Sequence, residues 1–179
     1  MKNFGQIQPN LEIEKLASAI KSDGFDLIFD ILELVYKKLK NDSNNPDKNN
    51  YFRKRTAAQI LTSGIAYGCT DYALLTLSLL RAKKIKARYI EAFNKKWLIN
   101  GGEVIEGHIF VEVSLNNKIY IINPEASCIL KRLRHYEIYK KGTDSWAIGI
   151  NNISDMKKVA NTFRRQYLRN LKKIYLKNK

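Results

Sequence analysis

Apolar positions in the first forty residues repeat at helical spacing. Leu11, Ile13, Leu16, Ala17 and Ile20 form a stripe, with Asn10 placed to cap it and Gly24 marking a break. Phe25, Ile28, Phe29, Ile31, Leu32, Val35 and Leu39 give a second segment a broader apolar face. The run NDSNNPDKNN at 41–50 is polar and turn-rich, which predicts a surface loop. Residues 51–62 predict a third helix ending near Gly64. Residues 70–83 are apolar on nearly every side, through Ala73, Leu74, Leu75, Leu77, Leu79 and Leu80, so this helix should be central and buried.

From Lys86 the period shortens. Lys86–Phe93 alternates loosely, and HIFVEVSL (108–115) and KIYIIN (118–123) read as strands. The Asn116-Asn117 link suits a tight antiparallel hairpin. In such a hairpin the first residue of one strand lies beside the last of the next, so His108 and Asn123 should be close neighbours. Glu112 should face away from Ile109, Val111 and Val113, towards solvent or a salt bridge. Residues 124–152 look irregular, with a strand around Tyr136–Lys140, and Ser154 is placed to cap a last helix reaching about Tyr175. Helices, then strands, then a closing helix predict an α+β domain whose antiparallel sheet packs on the buried helix. A doubly wound parallel sheet does not fit, because helices and strands do not alternate. The expected organisation is one domain over 1–179, with a helical part at 1–50, a core at 51–152 and a closing helix at 153–179.

Composition narrows the class. At 179 residues, with 45% hydrophobic and 27% charged positions, the chain has ordinary globular usage for one domain. No stretch approaches the ~18 apolar residues of a membrane span, and the opening residues contain no apolar signal core. A cytoplasmic location follows as the expectation, with both cysteines reduced. The net charge of +15 is uneven: −1 over residues 1–50, +5 over 51–128 and +11 over 129–179. Such a field attracts nucleic acid, anionic lipid or an acidic protein.

Candidate chemistry centres on Cys69. It follows Gly68 and opens the apolar helix, where the dipole and unpaired backbone N–H groups favour thiolate. That position predicts a thiol pKa below the free value of ~8.5 and a ready oxyanion site. His108 opens a strand after a glycine-containing loop, and Asn123 ends the next strand before Pro124. Cys69, His108 and Asn123 thus supply a nucleophile, a base and a group to orient the base. Two histidines and two cysteines without paired spacing make a metal centre improbable, and no cofactor is called for.

The segment from about Arg55 to Ile150 resembles the transglutaminase-like superfamily, whose core is related to papain-type cysteine proteases. The resemblance rests on GCTDYALLTLSLLRAKKIKARYIEAF and GHIFVEVSLNNKIYIINPEAS, with Cys69, Arg81, Arg88, Gly107, His108, Val111, Glu112, Val113 and Pro124 at matching positions. KGTDSWAIGI (141–150) is similar to a segment of prokaryotic members. The family usually carries Asp where this chain has Asn123, which orients imidazole but supplies no charge. The resemblance implies a papain/transglutaminase-like core and acyl transfer. Cys69 would attack a peptide or amide carbonyl, with His108 as base and then acid. Asn123 would orient His108, and the Cys69 backbone N–H would help bind the oxyanion. Hydrolysis of a peptide or protein substrate is favoured over amine transfer.

The remaining residues have blander roles. Tyr67 and Gln59 are candidate oxyanion donors, with packing or surface roles favoured for both. Asp71 and Arg81 belong to the helix ends; Asp144 and Trp146 either line the cleft mouth or pack beneath a loop. Cys128 reads as a structural thiol and His135 as exposed. Met156, Ala160, Phe163, Tyr167, Leu171 and Ile174 form one stripe of a basic amphipathic closing helix. A docked helix with a solvated basic face is favoured over nucleic-acid or anionic-membrane contact, which remains as a weak contact at most. The rival to the enzyme is a binding module that keeps the fold and uses its basic surface to hold nucleic acid or an acidic partner.

Overall fold

The computed structural model describes residues 5–177. After a short 3-10 turn at Gly5–Ile7 come α1 (Leu11–Ala19) and α2 (Gly24–Lys38). The Asn10 side chain accepts from the Ile13 N–H, as the cap reading requires. Strand β1 (Lys40–Asn41) pairs in parallel with β2 (Ile65–Ala66), and α3 (Lys48–Tyr51) and α4 (Ala57–Ser63) lie between them. Helix α5 (Cys69–Ala82) follows and is buried from Thr70 to Leu80.

The expected helix over 51–62 is instead two pieces. Thr56 starts α4 with a capping box: its hydroxyl accepts from the Gln59 N–H, and the Gln59 side chain accepts from the Thr56 N–H. Before it, Arg53 has φ +57, a left-handed conformation that a continuous helix cannot contain.

Strands β3 (Lys86–Asn94), β4 (Gly107–Leu115), β5 (Lys118–Asn123), β6 (Cys128–Leu130) and β7 (Tyr136–Gly142) form one antiparallel sheet in the order β6-β5-β4-β3-β7. Asn116 and Asn117 both have positive φ, the backbone of a tight primed turn. The sequence pattern missed β6 and also α6 (Lys95–Asn100), a helix too short to show periodicity.

One sheet face turns Tyr89, Ile109, Val111, Val113 and Ile122 onto α5, and α1, α2 and α4 wrap the rest of that helix. The opposite face gathers Ile90, Ala92 and Phe110 beneath Leu133 and Tyr136. Helix α7 (Ile153–Lys177) packs through Met156, Val159, Ala160, Phe163 and Tyr167 against Phe93, Trp97 and Leu98. Towards the end of α7 its apolar stripe comes out of the core, with Leu171 and Ile174 exposed. No helix among the described residues is long and apolar enough to cross a membrane. Mixed helices, an antiparallel sheet and a closing helix make this the α+β architecture the pattern predicted.

Candidate active site

Gly68 is the N-cap of α5 and Cys69 its first residue, so the opening N–H groups of the helix have no partners within it. Gly68 has extended backbone at φ 163, and a Cβ there would meet nothing within 4 Å outside its chain neighbours. The thiol lies where two cavities meet, of about 330 and 250 Å³. Phe52, Arg53 and Thr70 line both, Tyr67 lines the smaller, and Ile105 and Met156 line the larger.

The structure brings Cys69, His108 and Asn123 together. His108 Nε2 lies 2.9 Å from Asn123 Oδ1, which can only accept, so that nitrogen carries the proton. The contact is diagonal rather than direct. Val111 pairs with Ile122, so the same register puts Asn123 opposite Phe110, one same-face step from His108. The imidazole packs edge-on against Phe110 at 4.7 Å and near Tyr136 at 5.9 Å. Cys69 Sγ, a His108 ring nitrogen and a Glu125 carboxylate oxygen all lie within 4.8 Å of one another.

Glu125 is the neighbour that sequence reasoning missed. It sits two residues beyond Asn123, in the turn joining β5 to β6, with Oε2 3.7 Å from His108 Nδ1. Glu125 therefore sets a carboxylate beside the ring nitrogen that Asn123 does not hold. Its only signal in the sequence was an acidic residue just past the Asn-Pro strand end.

Arg53 and Glu91 form the second arrangement that the sequence hid. Arg53 Nη2 donates to Glu91 Oε1 at 2.9 Å and Nη1 lies 2.7 Å from Oε2, with both side chains at most 1% exposed. The Tyr89 hydroxyl donates to Glu91 Oε2 at 3.3 Å. Gln6 and Trp146 hold the Arg53 carbonyl, with N···O distances of 3.1 and 2.7 Å. A signal was present: Glu91 shares strand parity with Tyr89 and Phe93, both buried.

The thiol departs from expectation. Burial pushes Cys69 up to about 12; the Glu125 and Glu91 carboxylates add to the rise, while the Arg53 charge and a hydrogen bond from the Ile109 N–H oppose it. The helix start supplies unpaired donors, and burial still holds the thiol above its ordinary value. A proton on His108 would set a positive charge against the sulfur and pull its pKa back down.

Other candidates fall away from the chemistry. Gln59 is exposed and committed to the α4 cap, so it is no oxyanion donor. Tyr67 stacks on Tyr51 at 4.9 Å and beneath the Arg55 guanidinium, yet still lines the smaller cavity. Asp71 pairs with Arg55 at 2.6 Å and accepts from the Tyr67 N–H, which fixes the entry to α5. Asp144 is buried and accepts from the N–H groups of Gln6 and Ala147, a structural clasp rather than a cleft wall. Glu112 takes the salt-bridge option, held by Arg88 and Lys141. Cys128 sits opposite Asn123 in the sheet register, and His135 is exposed.

No curated protein sequence matches the chain. A crystallised candidate cysteine protease from Cytophaga hutchinsonii shares the fold at TM-score 0.60 and 18% identity, over 82% of this chain. This chain spans only 47% of the length of that protein. The family model of the transglutaminase-like superfamily matches residues 14–124. That match starts inside α1, well before Arg55, and stops at Pro124, short of the 141–150 segment. A match over more than half of the sequence, with the cysteine at a helix start and the histidine on the neighbouring strand, makes this chain a member of the transglutaminase-like superfamily.

Proposed function

We propose that the chain is a thiol-dependent acyl-transfer enzyme acting on peptide or amide bonds, a cysteine peptidase or amidase rather than an amine-transferring cross-linker. One observation carries the reading: His108 donates through Nε2 to Asn123, which leaves Nδ1 as the basic nitrogen on a ring that also neighbours the Cys69 sulfur. Cys69 Sγ attacks the carbonyl carbon as its proton passes to His108 Nδ1. The S–C bond forms, and the oxygen gains charge near the open N–H groups of α5. The C–N bond then breaks as the imidazolium gives its proton to the leaving amine. Water, deprotonated by His108, attacks the thioester and releases the acid and the thiol. Asn123 keeps the ring in one tautomer and one orientation throughout. The cavities beside Cys69 are lined by Phe52, Ile105 and Met156, which suits an apolar side chain next to the scissile bond.

The binding-module reading draws on one observation, the burial that raises the thiol to about 12. In that reading Cys69 stays protonated and inert, and the basic surface does the work. A peptide and amide library, run with and without a primary amine acceptor, separates the two. The enzyme reading expects turnover by the wild type, none by Cys69→Ala, and release of acid rather than amide adduct. No turnover, together with Cys69 alkylating no faster than Cys128, would leave only the binding module.

A further inference from the structure

Three donor atoms of different kinds converge at the Cys69 thiol. Cys69 comes from the start of α5, His108 from β4 and Glu125 from the turn after β5. Their sulfur, nitrogen and oxygen ligand atoms all lie within 4.8 Å of one another. We propose that Cys69, His108 and Glu125 form a binding site for a thiophilic divalent cation of the zinc class, which holds Cys69 as a metal thiolate and so blocks it as a nucleophile. Binding stands on the geometry alone; the inhibitory consequence rests on the thiol-enzyme reading above.

The donor set selects the ion. One thiolate, one imidazole and one carboxylate suit zinc, whereas magnesium and calcium take oxygen alone. Ligand atoms around a tetrahedral zinc stand about 3.5 Å apart, given bonds of about 2.0–2.3 Å. From a 4.8 Å limit, closing on the ion takes side-chain movements of about an ångström. Glu125 has the freedom for this, because its side chain is about one-third exposed. That exposure also gives the ion a way in. Three protein ligands leave a fourth position for water, the pattern of an open site rather than a structural one.

The groups around the three donors already face the right way. Asn123 Oδ1 holds His108 Nε2–H, so the Nδ1 lone pair is the one available to a metal. Arg53 lines the cavities beside Cys69, and its charge is paired with Glu91. The Glu125 charge, unfavourable beside a thiolate, becomes favourable once a dication sits between them. On binding, the Cys69 S–H bond breaks, its proton goes to solvent and an S–metal bond forms; no electrons are transferred. The positions 69, 108 and 125 follow no metal-motif spacing, which is why the linear sequence argued against a metal.

The test uses the full chain without an affinity tag, reduced, with Cys128→Ser as a background that removes the second thiol. Titration with Co²⁺ should give a thiolate-to-cobalt charge-transfer band in the near ultraviolet, which Zn²⁺ then displaces. In the wild type, Zn²⁺ should slow iodoacetamide alkylation of Cys69 at least tenfold and leave Cys128 unaffected, with reversal by a chelator and no effect from Mg²⁺. Asn123→Ala should weaken the site roughly 10–100-fold, and Glu125→Gln at least tenfold. A band that survives in Cys69→Ala, equal protection of both cysteines, or unchanged affinity in Glu125→Gln would overturn the proposal. Turnover on the peptide library without zinc protection sinks the metal site alone. Zinc protection without turnover keeps the metal site and sinks the enzyme.

Discussion

Removing one partner of the Arg53–Glu91 pair should cost far more than removing both. The two side chains are sealed from water and meet through two contacts, at 2.7 and 2.9 Å. Glu91→Gln keeps the shape and strands a buried guanidinium; Arg53→Met strands a buried carboxylate. Each single change leaves an uncompensated charge, at a cost of about 3–5 kcal/mol, which is a large part of the ~5–15 kcal/mol that holds a domain together. Arg53→Met combined with Glu91→Leu leaves neither charge and should recover most of the loss, so the double-mutant cycle should show a coupling of at least ~2 kcal/mol. Urea unfolding followed by circular dichroism gives the midpoints and slopes for all four proteins. Single losses below about 1 kcal/mol, or costs that simply add, would refute the buried-pair argument. A second readout separates charge from folding. Arg53 lowers the Cys69 pKa and Glu91 raises it. Below denaturing conditions, Glu91→Gln should therefore speed alkylation of Cys69 and Arg53→Met should slow it, although both reduce stability.

Three further outcomes follow from particular contacts. Thr56→Ala removes the hydroxyl half of the α4 cap and should cost about 1 kcal/mol, while Gln59→Ala should leave Cys69 alkylation unchanged, since Gln59 serves only that cap. Arg88 and Lys141 hold the Glu112 carboxyl below its ordinary value against the opposing effect of burial. Its contribution is therefore present above the unfolded value near 4.5 and fades as pH falls through the lower folded value. The thermal-stability gap between wild type and Glu112→Gln should accordingly be flat near neutrality and close in acid. Asn123→Ala frees the imidazole to rotate and should lower turnover more than Asn123→Asp, whose carboxylate favours the imidazolium while keeping the hydrogen bond; alanine turning over like wild type would remove Asn123 as the orienting group.

What the sequence made legible is what local pattern encodes. The apolar belt of α5, the two-residue turn at Asn116-Asn117 and the parity of β4 and β5 depend on near neighbours, and they were enough to bring His108 to Asn123. Residues 51–62 misled because their apolar spacing continues through a stretch where Arg53 takes positive φ, a backbone state that nothing in the spacing announces. Arg53 and Glu91 lie 38 residues apart and meet only when the sheet closes over α5. The thiol pKa was misjudged for a related reason. A helix start can be read from the chain, but the burial and the carboxylates set around it belong to the assembled core.

Strand β6 has a consequence for how the site fails. It has three residues, forms one edge of the sheet and, among the described residues, pairs with β5 alone. The turn it closes, Pro124–Ser127, carries Glu125, follows directly from Asn123 and contains Ser127 at positive φ. Edge strands this short open with a free energy well below that of global unfolding. When β6 peels away, Glu125 loses its anchor and Asn123 loses the partner strand on its far side, while α5 and the central strands stay folded. Amide protons in β6 should thus exchange orders of magnitude faster than those of β3 and β4. The protein would then pass through a native-like state in which cysteine and histidine remain but nothing fixes the ring, disarmed long before it is denatured.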